Sequence, residues 1–206
     1  MLRDLSVGDL LAAFSAPDPA PGGGSASALS AAVGASLLMM VAALPKTRSG
    51  SAEDRAALAA AATALSTTRD RLAAAIDDDT VAYNGVVASY RLAKGTADEQ
   101  AARKVAIQRA LQAATDVPLG VIQQSARALE QAAVVAAHGY ASASSDVGVA
   151  IAMLIAGASG AKLNVDVNLE GLSDAAYRSR AGAEAGELIE RARALAQRAG
   201  DLLRDR

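Results

Sequence analysis

Residues 58–76 read LAAAATALSTTRDRLAAAI, and this stretch sets the fold class. Leu65, Leu72 and Ile76 belong to an apolar series with the 3.6-residue period of a helix that buries one face. The series predicts a long helix over about residues 52–92 that packs against other helices. A fold built from such elements is a helical bundle.

The composition of the whole chain agrees with a helical protein. Of its 206 residues, 52% are apolar and 2% are aromatic, and about a quarter are alanine. The aromatic strand formers that sheets use are therefore scarce. A chain of this length has the size of one domain. We predict an all-α fold, a single-domain helical bundle over residues 1–206.

Charge and cysteine content exclude several classes of protein. The net charge of −2 gives no general field for nucleic acid or for an anionic membrane surface. The chain has no cysteine, which excludes a disulfide scaffold, a zinc–cysteine site and a thiol nucleophile. The same absence fits a reducing compartment. We expect a cytoplasmic protein with no nucleic-acid partner.

Further helices are predicted from periodicity and from capping signals. Pro118 is tolerated in the first turn of a helix and Asp116 is placed to cap it, so a new helix is expected to begin there. Small residues recur on the second helix, among them Ala28, Ala31 and Ala35, and would let a neighbouring backbone approach closely. The complete set of predicted helices covers residues 4–15, 22–44, 52–92, 97–114, 117–137, 145–161 and 173–204.

One segment breaks the helical pattern. Residues 163–169 read LNVDVNL, in which Asn164, Asp166 and Asn168 alternate with apolar side chains. A period of two is typical of an extended chain, but a single strand has no partner here. We expect a short extended segment near 163–169 that lies across the helices, with both asparagines on one side.

Two charge-poor stretches have to be weighed as membrane spans. Residues 26–44 consist mostly of alanine, serine and glycine, and residues 132–161 are interrupted by His138 and Asp146. Helices that are apolar all round also form the centre of a bundle. We predict core helices here and no membrane partner.

A glycine-rich segment precedes the second predicted helix, where residues 19–25 read PAPGGGS. Glycines allow backbone conformations that are closed to other residues, and they leave the amides bare. A helix N-terminus presents unpaired N–H groups and a partial positive charge. The segment is suited to an anion or a polarised carbonyl, or it is an ordinary turn capped by Ser25.

Acidic residues occur at two notable places. Asp77, Asp78 and Asp79 are consecutive within a predicted helix, so at most one or two of them can face a pocket. Ser145 and Asp146 open the most apolar predicted helix. There the carboxylate either caps the helix or, if partly buried, serves in acid–base chemistry.

The remaining polar candidates are one histidine and two asparagines. His138 is the only histidine, and no carboxylates stand near it at the spacing that a metal site needs. We therefore predict neither a metal nor a cofactor. Asn164 and Asn168 either bind a ligand or satisfy backbone groups.

Taken in order, these motifs resemble a known family. They are PAPGGGS at 19–25, Asp79 with Tyr83 one turn later, Leu92-Ala93-Lys94, Val117-Pro118-Leu119, Ser145-Asp146 and residues 164–169. They are similar to the cyclodeaminase/cyclohydrolase family: the cyclodeaminase half of formiminotransferase-cyclodeaminase and the stand-alone methenyltetrahydrofolate cyclohydrolases. The resemblance covers nearly the whole chain. It implies a helical bundle that dimerises and a tetrahydrofolate substrate.

The resemblance also implies a reaction and roles for individual residues. The reaction is hydrolysis of 5,10-methenyltetrahydrofolate to 10-formyltetrahydrofolate in one-carbon metabolism. Asp79 and Asp146 would be the acid–base carboxylates, and Lys94 would orient the intermediate or neutralise a glutamate-tail carboxylate. The implied substrate-binding residues are Gly22, Gly23, Gly24, Ser25, Ser145, Asn164 and Asn168. The expected partners are a folate and a second copy of the chain in a homodimer.

Two alternatives use the same residues. A formimidoyltetrahydrofolate cyclodeaminase would release ammonia and close the ring in the same pocket. A catalytically impaired folate-binding protein is the other hypothesis, because the chain departs from the family pattern. The basic run near 46–51 lacks a tyrosine, Leu-Ala-Lys at 92–94 replaces Leu-Pro-Lys, and Tyr140 replaces an asparagine.

Overall fold

Capping side chains set the start of several helices in this computed structural model, which describes residues 1–204. Ser6 and Ser51 each accept a hydrogen bond from the backbone N–H three residues further on, and Thr96 forms a capping box with Glu99. The helices of this part are α1 (Val7–Ser15), α2 (Gly23–Ala42), α3 (Ala52–Tyr90), α4 (Ala97–His138), α5 (Ser144–Glu170) and α6 (Ala175–Arg204). Short 3-10 turns at Leu2–Asp4 and Ala141–Ala143 precede α1 and α5.

The prediction of an all-α fold is confirmed. Residues 1–204 contain no strand, and their β-type pairing is limited to one isolated bridge between Thr47 and Gly139. α4 packs against α3, α5 and α6 and also touches α2, while α2 lies between α3 and α5. Large aliphatic side chains fill the core between these helices, among them Leu38, Leu65, Leu72, Ile122, Leu129 and Leu154.

α2 and α5 approach each other closely because small residues line their contact. A Cβ on Gly34 would lie 2.8 Å from the carbonyl oxygen of Ala150. A Cβ on Gly157 would lie 2.6 Å from the carbonyl oxygen of Ser27. Since a close-packed interior has no room for such an overlap, both positions require glycine. The close backbone approach predicted for the second helix is therefore present.

α2 and the segment Ala141–Glu170 are long and apolar enough to cross a membrane, judged by length and composition alone. In the most apolar window of each, 56% of α2 and 33% of the second segment is buried inside the bundle. α2 is therefore mainly a core helix, whereas α5 keeps an apolar face outside the bundle. That neither helix spans a membrane stays a prediction.

The extended segment predicted near 163–169 is wrong, because these residues form the last turns of α5. This part of α5 has apolar side chains on two faces. Val165 is fully buried, while Leu163 and Val167 are exposed on the opposite face. Apolar residues two positions apart then alternate with polar ones although the backbone is helical, so the sequence imitates a strand.

The helix break predicted before Pro118 is also absent, and Pro118 lies inside the continuous helix α4. Proline has no N–H to donate to the carbonyl four residues earlier, which is that of Ala114. The Nδ2 atom of Asn168 donates to this oxygen at 2.7 Å and replaces the missing bond. Asp116, expected to cap a new helix, instead accepts a hydrogen bond from the hydroxyl of Tyr177 at 2.6 Å.

Candidate active site

One pocket collects most of the predicted site residues. It is a cavity of about 290 Å³ between the start of α2, the last third of α3, the centre of α4 and the last turns of α5. Its lining consists of Pro19, Ala20, Gly22, Gly23, Gly24, Asp79, Tyr83, Val86, Leu111, Ala114, Asn164 and Asn168. Folding thus brings the glycine segment, one carboxylate and both asparagines to the same place.

Asp79 supplies a carboxylate to this pocket and also caps α2. Its Oδ2 atom accepts hydrogen bonds from the Ser25 N–H at 2.9 Å and from the Ser25 hydroxyl at 3.1 Å. The Ser25 N–H is one of the amides that a helix N-terminus leaves without an internal partner. Burial raises the pKa of Asp79 above the ordinary aspartate value, although the two Ser25 hydrogen bonds oppose the shift.

The three glycines differ in what they contribute. None of them has a positive φ, which among the described glycines belongs to Gly50. A Cβ on Gly24 would collide with the Oδ1 atom of Asp79, whereas one on Gly23 would meet the Nδ2 atom of Asn164 at an ordinary 3.7 Å. The expectation of unusual backbone conformations is therefore wrong. The pocket depends on the small size of Gly24, which lets the carboxylate approach α2.

Two backbone amides at the start of α2 remain available to a ligand. Gly22 is the N-cap residue without a capping side chain, and the Ala26 N–H begins the internal ladder by bonding to the Gly22 carbonyl at 3.1 Å. Since Asp79 occupies the amide of Ser25, those of Gly23 and Gly24 have no acceptor within residues 1–204. The positive end of a helix favours a carboxylate or carbonyl oxygen here.

Asn164 and Asn168 stand one turn apart on α5, so the helix directs both to the same face. The Nδ2 atom of Asn164 donates to the Gly160 carbonyl at 2.9 Å, and that of Asn168 donates to the Ala114 carbonyl at 2.7 Å. Each side chain keeps its Oδ1 atom, an acceptor, for a donor group on a ligand.

The three consecutive acids point in three directions, as helical spacing requires. Asp77 pairs with Arg3, whose guanidinium Nε lies 3.3 Å from the carboxylate. Asp78 lines a different cavity between α3 and α4. Of the three, only Asp79 enters the pocket.

The apolar wall of the pocket was not predicted from the sequence. This wall consists of Val86 on α3 and of Leu111 and Ala114 on α4, beside the aromatic ring of Tyr83. The helical spacing of these residues is visible in the sequence. Spacing alone, however, does not separate a face that lines a cavity from one that lines the core.

Lys94 lies outside this pocket, in the turn between α3 and α4. It lines a separate cavity of about 500 Å³ together with Arg103 and Lys104. Arg103 lies over the ring of Tyr90, 5.5 Å from its centroid. The lining residues of this cavity continue along α4 toward Leu111 in the Asp79 pocket. This basic cavity is suited to carboxylate groups.

Ser145 and Asp146 also lie outside the Asp79 pocket, in the first turn of α5. Asp146 is the third residue of the helix and does not cap it, because the N-cap residue is Ala143. A carboxylate at this position still favours the helix through the macrodipole. Asn164 follows eighteen residues later, about 27 Å away along the helix axis. A single chain therefore does not bring Asp146 to Asp79.

A second group of polar side chains surrounds this end of α5. The bridge between Thr47 and Gly139 holds the loop after α2 against the end of α4. The Lys46 ammonium lies 5.4 Å from the ring centroid of Tyr140. A hydrogen bond with Ser142 and the charge of Lys46 lower the pKa of Tyr140. The loop after α2 thus lies beside the segment that carries Tyr140.

The fold is shared with a solved structure. The formiminotetrahydrofolate cyclodeaminase of Thermotoga maritima matches with a TM-score of 0.88 at 23% sequence identity. The match covers 100% of this chain and 98% of that chain. This likeness establishes the class of helical bundle.

The sequence comparisons establish the family. The family model described as formiminotransferase-cyclodeaminase matches residues 6–187, so the chain belongs to that family. The methenyltetrahydrofolate cyclohydrolase of Methylorubrum extorquens is 40% identical over 130 residues, which are 63% of this chain and 62% of that protein. The formimidoyltransferase-cyclodeaminase of Gallus gallus is 30% identical over 129 residues, 63% of this chain and 24% of that protein. The matches span less than two thirds of either relative.

Proposed function

We propose that the protein hydrolyses 5,10-methenyltetrahydrofolate to 10-formyltetrahydrofolate. The observation that carries this proposal is the half-buried Asp79 carboxylate, which shares one pocket with two available helix amides and two asparagine side chains. A carboxylate is the partner that a cationic amidinium ring requires. The 40% identity to the Methylorubrum extorquens cyclohydrolase supports this substrate.

In the proposed mechanism Asp79 handles the proton of the attacking water. Water forms a C–O bond to the bridging carbon while one of its protons passes to the carboxylate. The carboxyl then donates that proton to the departing ring nitrogen as the C–N bond breaks. The remaining hydroxyl proton leaves as the formyl carbonyl forms, so one proton is released overall. A raised pKa suits a group that must both accept and return a proton.

The neighbouring groups orient the folate. The Gly23 and Gly24 amides would bind a carbonyl or carboxylate oxygen, and the Oδ1 atoms of Asn164 and Asn168 would accept from the pterin edge. Lys94 would neutralise a glutamate-tail carboxylate in the basic cavity that it lines.

We propose a cytoplasmic homodimer that uses no metal or cofactor and binds neither membrane nor nucleic acid. The apolar face that α5 keeps outside the bundle supports dimerisation. Residues 1–204 contain no group of three or more histidine, cysteine, aspartate or glutamate side chains placed to hold a metal ion. The net charge of −2 gives no attraction for nucleic acid.

Formimidoyltetrahydrofolate cyclodeaminase is the second candidate function. The likeness to the Gallus gallus protein favours it, although that match covers only 24% of the relative. The same carboxylate would then protonate a departing amine. Release of ammonia from the formimidoyl substrate separates the two functions directly.

The experiment that tests the proposal follows loss of the amidinium absorbance of methenyltetrahydrofolate. We expect Asp79→Asn to lower kcat by about a hundredfold or more, as loss of a positioned acid–base group does, with little change in melting temperature. Asp78→Asn is the matched control, because Asp78 lines a different cavity, and it should keep wild-type turnover. Equal turnover by the two variants would contradict the assignment of Asp79.

A further inference from the structure

We propose that Ser25 is a positioning residue of the reaction, which holds one oxygen of the Asp79 carboxylate so that the other oxygen alone exchanges protons with the substrate. Thr80, the residue after Asp79 in α3, orients the Ser25 hydroxyl for this task. The inference rests on the proposed function, because it takes Asp79 as the acid–base group.

Ser25 lies behind the pocket and does not line it. It is the third residue of α2 and is fully buried. The three preceding glycines line the pocket, whereas Ser25 does not. A hydroxyl in this place can act on a bound substrate only through another group, and the pocket residue that it contacts is Asp79.

The two oxygens of the Asp79 carboxylate have different surroundings. Oδ2 accepts a hydrogen bond from the Ser25 N–H at 2.9 Å and another from the Ser25 hydroxyl at 3.1 Å. Both lone pairs of Oδ2 are thereby occupied. Oδ1 has no hydrogen-bond partner within residues 1–204, and it is not sealed from solvent. A proton that reaches this carboxylate from the pocket therefore binds to Oδ1.

Thr80 sets the direction of the Ser25 hydroxyl. Its Oγ1 atom lies 3.3 Å from the Ser25 Oγ atom, and either atom can donate. The Ser25 hydroxyl has a single hydrogen, which it gives to Asp79, so the Thr80 hydroxyl is the donor in the contact between the two hydroxyls. The result is a hydrogen-bond chain from Thr80 through Ser25 to Asp79. Each bond in such a chain polarises the next.

The proton affinity of Asp79 depends on this hydrogen-bond chain. Burial raises the pKa of Asp79, and the two hydrogen bonds from Ser25 lower it. Tyr83 is the other titratable residue in the pocket lining, to which α4 and α5 contribute uncharged residues. α2 carries no charged side chain, and the neighbouring Asp77 and Asp78 point elsewhere. Ser25 is therefore the group that offsets the effect of burial.

The fixed carboxylate suits both proton transfers of the proposed reaction. An O–H bond of the attacking water breaks as the Oδ1–H bond of Asp79 forms. The Oδ1–H bond then breaks as the N–H bond to the departing ring nitrogen forms, so the carboxylate ends as it began. Because Ser25 holds Oδ2, the carboxylate does not rotate between the two steps. The same oxygen accepts the proton and returns it from one geometry.

Ser25→Ala removes the hydroxyl and keeps the N–H. We expect kcat to fall about tenfold at unchanged KM, the loss of one hydrogen bond to a charged group that does not bind substrate. The fall of kcat/KM at low pH, where Asp79 takes up its proton, should move up by about one pH unit.

Ser27→Ala is the matched control for this variant. Ser27 is also a buried serine of α2, but its hydroxyl donates to the Gly23 carbonyl at 2.6 Å and does not contact Asp79. The control should keep the wild-type kcat, KM and pH profile.

Two variants of Thr80 separate its hydroxyl from its shape. Thr80→Val keeps the volume without the donor, so the pH profile should move in the same direction as in Ser25→Ala, by a smaller amount. Thr80→Ser keeps the donor and should behave as wild type. The double variant Ser25→Ala/Thr80→Val should match Ser25→Ala alone, because Thr80 acts through Ser25.

Three results would overturn the inference. A rise in KM at unchanged kcat would make Ser25 a substrate-binding residue. A lower melting temperature with an unmoved pH profile would make it only a part of the start of α2. An increase in kcat would mean that the Ser25 hydroxyl hinders the reacting oxygen, which would then be Oδ2 of Asp79.

A carbon NMR titration of the Asp79 carboxyl group separates this inference from the proposed function, because it needs no substrate. The signal is the one that disappears in Asp79→Asn. Its pKa should be higher in Ser25→Ala than in wild type, and equal values would contradict the role of Ser25. Wild-type protein that does not hydrolyse methenyltetrahydrofolate would refute the proposed function, while the titration would still decide whether Ser25 controls the Asp79 carboxylate.

Discussion

Gly23 and Gly24 are adjacent glycines, yet the structure gives them different surroundings. We expect Gly24→Ala to destabilise the fold by about 1–3 kcal/mol, because its methyl group must displace the half-buried Asp79 carboxylate. Turnover should fall with it, since the carboxylate loses its hydrogen bonds to Ser25. Thermal unfolding and the absorbance assay measure the two effects.

Gly23→Ala is the control for this prediction. The added methyl group meets the Nδ2 atom of Asn164 at 3.7 Å, which is ordinary contact. Stability should remain within about 0.5 kcal/mol of wild type, as for a substitution without strain. If both variants lose the same stability, the requirement for glycine comes from the backbone at the start of α2 and not from the approach of Asp79.

For single residues, the sequence predicted which residue types form the pocket better than it predicted which residues contact each other. The local sequence does not separate the three acids Asp77, Asp78 and Asp79, and Asp79 was singled out through the family resemblance. What distinguishes Asp79 is its contact with Ser25, fifty-four positions away. Such a contact depends on how α2 and α3 pack, and no local pattern encodes it.

Among the helices, the amphipathic ones were the most predictable and α5 was the least. α3 and α6 each bury one face, so their apolar period is clear. α5 has apolar side chains on one face inside the bundle and on another face outside it. Together they hide the 3.6-residue period of apolar residues in 163–169. The sequence still showed that Asn164 and Asn168 share a side, because positions four apart coincide in a helix as well.

Pro118 on α4 and Asn168 on α5 are coupled across the contact between the two helices, and a double-mutant cycle can test this coupling. Asn168→Ala should cost about 1–3 kcal/mol of stability, because it leaves the buried carbonyl of Ala114 without a donor. In a Pro118→Ala background the helix supplies its own N–H to that carbonyl. The same change should then cost about 1 kcal/mol less, as measured by denaturant unfolding.

Asn164→Ala provides the comparison for that cycle, since the Gly160 carbonyl to which Asn164 donates belongs to its own helix. The cost of Asn164→Ala should be the same in both backgrounds. If Asn168→Ala costs the same with and without the proline, then the Asn168 bond does not compensate for Pro118.

Asp54 connects two parts of the molecule that are distant in sequence, the loop after α2 and the end of α4. Its carboxylate lies 2.8 Å from Nδ1 of His138 and accepts hydrogen bonds from the N–H and hydroxyl of Ser49. His138 first, and then Ser49, hold the pKa of Asp54 well below its usual range. A lowered pKa in the folded state means that this contribution to stability is present above the ordinary aspartate pKa and is lost as the pH falls.

The expected result is a melting temperature that falls as the pH drops below about 4, the range in which an unfolded aspartate takes up its proton. Asp54→Asn should lower the melting temperature at neutral pH and make the fall in acid shallower. Asp18→Asn, at an exposed position of the loop before α2, should reproduce the wild-type curve. If the melting temperatures of wild type and Asp54→Asn fall in parallel with pH, the interactions of Asp54 contribute no pH-dependent stability.

Pro118 also has a consequence for how far α5 can slide along α4. Within this part of α4 the proline singles out one carbonyl, that of Ala114, and Asn168 donates to it. That bond fixes the position of α5 along α4, because a displacement of α5 by one turn would carry Asn168 about 5.4 Å past its acceptor. Asn164 would move with it and leave its place opposite Gly23. A residue usually regarded as a helix breaker therefore fixes the depth of the pocket.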